Sequence, residues 1–480
     1  MTSSGEDSSS SDSEERAAYQ AAVRLTRRNF VISSAVLGAA PFAFTYFARP
    51  ASAAPLARVK LGSPILTESV LLDLLPIKGA GADALRMVQG EIEKATILRT
   101  IYTRGQDYDA AGNVTIPGSV WDQISKVGNT ALAILEERRR ELQPTFREVD
   151  TAEVQIRRAE RGEEELDETR RQLMALTHAA EARNVSAVLD AQSGALLHLS
   201  YMGELLVPKF PFQVTMDEQY DSIPRLLGRA TVDMTIRRDA PADGPASAPA
   251  NASLLAAPLQ STIMGNVSLV VDGYSAPVTA GNFIDLCLRG FYNGLPVSFN
   301  ATEDAGTNST LQVAIGGTYR EGFVDPITGN VRRLPLEVLR ADPKSGNVPF
   351  YGAARNTRVF TKAPAVQTFR IPGAVAAFHP PGDGNGGSSQ FFWLTDANLD
   401  AEGVFMDASA EALDGRYSVF AYVISDRAAV AGALRPGDGA SYAVDKVYVN
   451  YGADNLVKTR AATFKELLLN KGPGGGDADE

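Results

Sequence analysis

Asp272-Gly-Tyr-Ser-Ala-Pro-Val-Thr-Ala-Gly-Asn-Phe283 is the stretch on which the fold turns. Pro277 stands where a helix can open, and the Thr279 hydroxyl is its expected cap. Moving outward, Gly386-Gly-Ser-Ser-Gln-Phe-Phe-Trp393 and Leu413-Asp-Gly-Arg-Tyr-Ser-Val-Phe420 follow at wide spacing. Phe391, Val419 and Phe420 lie in short apolar runs, which read as buried strands. Phe392 and Leu413 suit either a core or the wall of an apolar pocket.

In this order the three blocks resemble the cyclophilin family. The resemblance implies a multidomain α and β chain: an N-terminal helical bundle, then an eight-stranded cyclophilin-like β-barrel with flanking helices. Cyclophilins speed rotation about the bond before proline, whose resonance barrier is roughly 20 kcal/mol. In the family an arginine donates hydrogen bonds around the prolyl amide, and an apolar pocket holds the ring, so the chemistry is electrostatic stabilisation in a partly dry site.

The polar half of that machinery is missing. Phe291-Tyr-Asn-Gly294 matches the family's aromatic-Tyr-x-Gly turn, and Phe299 then occupies the place of the catalytic arginine. Gln312-Val-Ala-Ile-Gly-Gly-Thr318 keeps the family's two glycines, but Ile315 replaces the orienting glutamine. The apolar half is better kept. Gln312, Val313, Phe392 and Leu413 fall on pocket positions, with Phe392 on the floor. Phe378 replaces a small alanine and His379 an asparagine, Ala412 stands where many members carry tryptophan, and Tyr417 where they carry histidine. His379 precedes Pro380-Pro381-Gly382, so by sequence it reads as a solvated loop side chain. The expectation is a pocket that still buries proline-containing or extended segments while isomerisation is weak or lost. Two other classes stand beside it: a working isomerase drawing its guanidinium from Arg320, and a structural subunit of a membrane complex.

Ahead of the barrel the pattern is helical. Leu85, Val88, Ile92, Ala95 and Leu98 form one apolar stripe, and Val120, Ile124, Val127, Ala131 and Ile134 another. Gly105 to Pro117 carries turn residues between them. Leu166, Thr169, Leu173, Leu176 and Ala180 form a short seam flanked by charge, which suits packing within the chain. Phe210-Pro-Phe-Gln-Val-Thr-Met-Asp-Glu-Gln-Tyr-Asp-Ser-Ile-Pro-Arg-Leu-Leu-Gly-Arg-Ala-Thr-Val232 resembles the joint of the large multidomain cyclophilins of plant and algal thylakoid lumens. So do Leu334-Pro-Leu-Glu337 and Pro349-Phe-Tyr-Gly352. That resemblance implies an assembly and repair factor of photosystem II whose partners are protein segments, including lumenal loops of photosystem subunits, with peripheral membrane association. Proline in the linker restricts its backbone, so the bundle is expected to pack on the barrel.

The resulting division is a targeting region over 1–53, a helical bundle over 54–209, a linker over 210–227, a cyclophilin-like domain over 228–460 and a tail over 461–480. Arg27-Arg28, the uncharged run Phe30 to Ala48 and Ala51-Ser-Ala53 describe a cleavable twin-arginine export signal. The stretch Ala240 to Thr262 is rich in Ala, Pro and Ser and is expected to be a mobile hairpin extension. A net charge of −11 argues against nucleic acid as a partner. Three histidines and one cysteine offer no metal-ligand spacing, no cofactor is implied, and Cys287 reads as a small buried apolar residue.

Overall fold

The computed structural model describes residues 66–95, 116–144, 151–211, 214, 220, 222–241, 259–304, 309–317, 322–326, 328–342, 346–352, 365–369, 371, 373–380, 383–396, 413–424 and 441–458. The export signal, the turn residues before Ile116, Arg320, Ala412 and the tail lie outside them. Among the described residues five helices come first: α1 (Thr67–Asp73), α2 (Ala80–Ile92), α3 (Gly118–Glu137), α4 (Ala152–Glu181) and α5 (Val185–Leu205). The apolar stripes meet as their spacing dictates. Leu85, Val88 and Ile92 of α2 pack with Ala131 of α3, Leu166 and Leu173 of α4 and Leu196, Leu199 and Met202 of α5.

The strands follow: β1 (Arg225–Leu226), β2 (Arg229–Pro241), β3 (Leu259–Asp272), β4 (Pro296–Asp304), β5 (Ser309–Gly316), β6 (Glu337–Asp342), β7 (Gly346–Tyr351), β8 (Ala374–Ala377), β9 (Phe391–Asp396), β10 (Ser418–Val423), β11 (Ser441–Tyr451) and β12 (Leu456–Val457). The main sheet is antiparallel and curls on itself in the order β10-β3-β2-β11-β4-β5-β9-β8, with β8 returning to β10. Beside it β6 pairs β7, and β1 pairs β12.

Successive strand side chains alternate between faces. Phe391 and Trp393 therefore enter the barrel interior with Phe283, Tyr292 and Phe420, while Phe392 faces the opposite way with Ala376, Val419 and Tyr422. A bulge between Val419 and Ala421 lets Phe420 and Ala421 both reach the interior. The outer face is buried too, which is why β8 and β10 read as unbroken apolar runs.

Pro277–Leu288 forms α6, as the opening stretch predicts. Its cap differs from the expectation. The side-chain oxygens come from Glu337, far along the chain, which accepts from Val278 N at 3.1 Å and Thr279 N at 2.8 Å. Thr279 does not cap the helix with its own oxygen; its backbone N–H donates to the buried Glu337 side chain instead. Gly281, inside the quoted stretch, is required by close approach: a Cβ there would collide with the Pro224 carbonyl. Cys287 is buried and unbridged.

The ends of the inserted stretch correct the sequence reading. Ala240 pairs with Gln260 and Pro241 with Leu259, so the β2–β3 ladder claims both edges. Residues 242–258 lie outside the described ones.

Glu337 carries a pH dependence. Backbone donors at a helix start favour its anion, but burial disfavours it more and raises its pKa to about 7 from 4.5. The folded state therefore holds this proton up to a higher pH than the unfolded chain does. The stabilisation is complete below about pH 4.5 and is lost as pH rises through about 7, about 3 kcal/mol in all. Glu337→Gln should remove this slope, leaving the variant the more stable protein above pH 7 by urea denaturation. An unchanged slope would show that Glu337 does not titrate in this window.

Candidate functional site

The two halves meet at α1. Its Val70, Leu71 and Leu74 join the outer apolar face of the barrel, while Leu72 joins the core of the helices. Arg229, at the start of β2, ties the junction together. Its Nε donates to Asp272 Oδ1 at 2.9 Å, its Nη1 to Ser200 Oγ at 3.1 Å and its Nη2 to the Leu71 carbonyl at 2.6 Å. Its backbone N–H donates to Glu204 Oε1 at 2.7 Å. Arg229 and Asp272 are both fully buried. Asp272 opens the fold-defining stretch, so one carboxylate serves the barrel and its attachment to the helices.

The outer face at β8, β9 and the turn before β10 gathers the expected pocket residues. Phe392 meets Tyr417 edge-on at 5.2 Å, and Tyr417 stacks with His379 at 4.7 Å and with Phe378 at 6.4 Å. Leu413 packs against the same cluster, partly buried. The remaining candidates sit on adjoining strands by register, Phe299 opposite Ala314 and Ile315 opposite Phe392, with Gln312 and Val313 in the same strand. The side chains of these four lie outside the described ones. Gly317, the second of the paired glycines, has φ +85° and the Ser389 carbonyl pressed against it, so the β5–β9 edge admits no Cβ there.

Two expectations are corrected. His379 is buried: Nδ1 lies 2.9 Å from the Pro380 carbonyl and Nε2 2.7 Å from the Arg416 carbonyl. Both ring nitrogens are thus held against backbone carbonyls. Secondly, the pocket positions do not line an open cleft. Phe378, Phe392 and Tyr417 are all buried, because the chain covers them.

The cover is Phe369, which the sequence reading missed. Its ring stacks on Phe392 at 5.7 Å with the planes 3° apart, and it is wholly buried. Its N–H donates to Asp414 Oδ1 at 2.8 Å, and Val366 N donates to the Leu339 carbonyl at 2.8 Å. Val366, Ile371, Leu339 and Ala341, with Val70, Leu71 and Leu74 of α1, belong to the same buried apolar cluster. The apolar spacing of Val366, Phe369 and Ile371 ahead of Pro372-Gly373 was the available signal.

An antiparallel barrel holding α6 across its end, with an apolar groove on its outer face, defines a cyclophilin-type fold. Comparison with known proteins agrees: residues 259–441 match the family "Cyclophilin type peptidyl-prolyl cis-trans isomerase/CLD". A Synechocystis protein named as a thylakoid lumen peptidyl-prolyl cis-trans isomerase is 35% identical over 286 residues, covering 59% of this chain and 63% of that one. The chloroplastic peptidyl-prolyl cis-trans isomerase CYP38 of Arabidopsis thaliana is 29% identical over 341 residues, 70% of this chain and 69% of its own length. Arabidopsis CYP37, also chloroplastic, is 30% identical over 226 residues, 46% of this chain and 41% of its own. Residues 259–441 are a cyclophilin-type domain, and the chain is similar to the large thylakoid-lumen cyclophilins. Its compartment is the chloroplast thylakoid lumen.

Proposed function

We propose that the chain is a cyclophilin-fold chaperone or assembly factor that binds proline-containing or extended protein segments with little isomerisation. The domain plan behind the proposal is a helical bundle over 54–209, a linker over 210–227 and an eight-stranded barrel within 228–460, delivered by the twin-arginine signal. The observation that carries the reading is the state of the groove. Its apolar and aromatic residues converge, while the positions of the family's arginine and glutamine hold Phe299 and Ile315. Such a groove can bury a segment but has lost the donors that weaken amide resonance. The partners are protein segments, among them lumenal loops of photosystem II subunits during assembly and repair. Contact with the membrane is peripheral, no nucleic acid is involved, and the helical half gates the groove through α1.

A protease-coupled proline-peptide assay tests the reading. Losing an electrostatic donor of this kind costs about 10²–10³ in rate, and turnover should fall at least that far below an arginine-containing cyclophilin. Turnover equal to that of such an enzyme would make the chain a working isomerase. Washing photosystem preparations with moderate salt separates a transient factor, which is released, from a resident subunit, which stays.

A further inference from the structure

We infer that the groove selects segments carrying an aromatic residue with a free backbone N–H where its relatives seat proline, and that residues 365–369 are its resident occupant. This rests on the binding-module reading above and names the class of segment. The warrant is the way the chain fills its own groove. Ala365 bridges Arg340 in antiparallel fashion, and Val366 N–H donates to the Leu339 carbonyl, so the occupant begins as an extended addition to β6. Three residues on, the Phe369 ring lies flat over Phe392, and its N–H reaches the Asp414 carboxylate.

Proline fails both tests of this position. It has no N–H, so Asp414 would lose a charge-assisted donor. Its ring is not a π-system and cannot reproduce the parallel stack on Phe392. Phe378 and Tyr417 add further aromatic surface around the same floor. Asp414 follows Leu413 directly, so the pocket wall and the acceptor that reads the occupant's backbone come from one turn.

The test uses the full chain and fluorescence anisotropy with two labelled peptides, Ala-Val-Gln-Thr-Phe-Arg-Ile-Pro, copied from residues 365–372, and its analogue with proline in place of phenylalanine. In the intact chain the groove is filled, and binding should be weak. Phe369→Ala vacates the floor, and that variant should bind the phenylalanine peptide about tenfold or more tightly than the proline analogue. Circular dichroism checks its fold. If Phe369→Ala does not fold, Phe369→Val keeps a smaller apolar side chain that still uncovers the Phe392 ring, and the same preference should appear. Equal or tighter binding of the proline analogue would overturn the aromatic assignment and leave the binding-module reading standing. If neither peptide binds a folded variant, the groove is not a segment-binding site, and both readings fall.

Discussion

Arg229→Met is expected to lower the unfolding free energy by about 3–5 kcal/mol, the cost of removing one partner from a buried ion pair. The guanidinium is enclosed by Asp272, Ser200, the Leu71 carbonyl and the Tyr274 ring, whose centroid is 6.0 Å away. Methionine fills much of the volume but leaves the Asp272 carboxylate buried without its cation. Ser275 and Gln367 still donate to Asp272 Oδ2, at 2.7 and 3.3 Å, which keeps the loss from being larger. The Leu71 carbonyl also loses its donor, so α1 should loosen and expose the groove beneath it. Urea denaturation supplies the stability, and the phenylalanine peptide described above supplies the exposure by binding more tightly to this variant. A loss below about 1 kcal/mol, the worth of a surface pair, would show that the junction does not depend on this arginine.

Arg332→Met should cost a similar amount, about 3–5 kcal/mol, for the same physical reason. Arg332 bridges two buried carboxylates, Asp285 Oδ2 at 2.8 Å from Nη1 and Asp325 Oδ2 at 3.1 Å from Nε. It also donates to Asn282 Oδ1 at 3.1 Å and lies over the Phe323 ring at 4.5 Å. These contacts pin the segment 322–334 to α6. Removing the cation leaves two like charges facing each other, and Asp285 retains Arg289 as a partner at 2.9 Å. A second change, Asp325→Asn, should therefore return part of the lost stability in the Arg332→Met background while destabilising the parent. If Asp325→Asn is equally damaging in both backgrounds, the pair is not coupled, and the segment is held by packing alone.

Local chemistry explains what was legible in the sequence. Pro277 at the start of α6, the alternation at Phe391, Phe392 and Trp393, and the helical stripes each depend on neighbours within a turn or a strand. The convergence of Phe378, His379, Phe392, Leu413 and Tyr417 was legible because three motif blocks keep their order. Contacts supplied from far along the chain were not. Thr279 looked like the cap of its helix, but nothing nearby reveals that Glu337 arrives from β6 to accept from Val278 N and Thr279 N. Arg229 stood at the start of the barrel domain with no role read for it, and one of its acceptors, the Leu71 carbonyl, is backbone and carries no side-chain signature. His379 read as solvated because its two carbonyl partners are likewise backbone. Phe369 lay outside every motif, and its role depends on a stack across the groove that only the folded chain creates. The inserted stretch was over-extended for a related reason: composition marks a segment without a core, yet a ladder can run into it from both sides.

The groove is closed by the chain's own aromatic segment. Hydrogen exchange of the Phe369 N–H tests it most directly, because that proton is bonded to Asp414 only while the ring lies on Phe392. The exchange of buried amides tracks the opening of the structure around them. The structure predicts that the Phe369 amide exchanges as slowly as core amides of β10 such as Tyr422, and that Arg229→Met speeds it. Exchange of this amide in the intact chain at the rate of a solvated loop would mean that the groove stands open, contradicting the account.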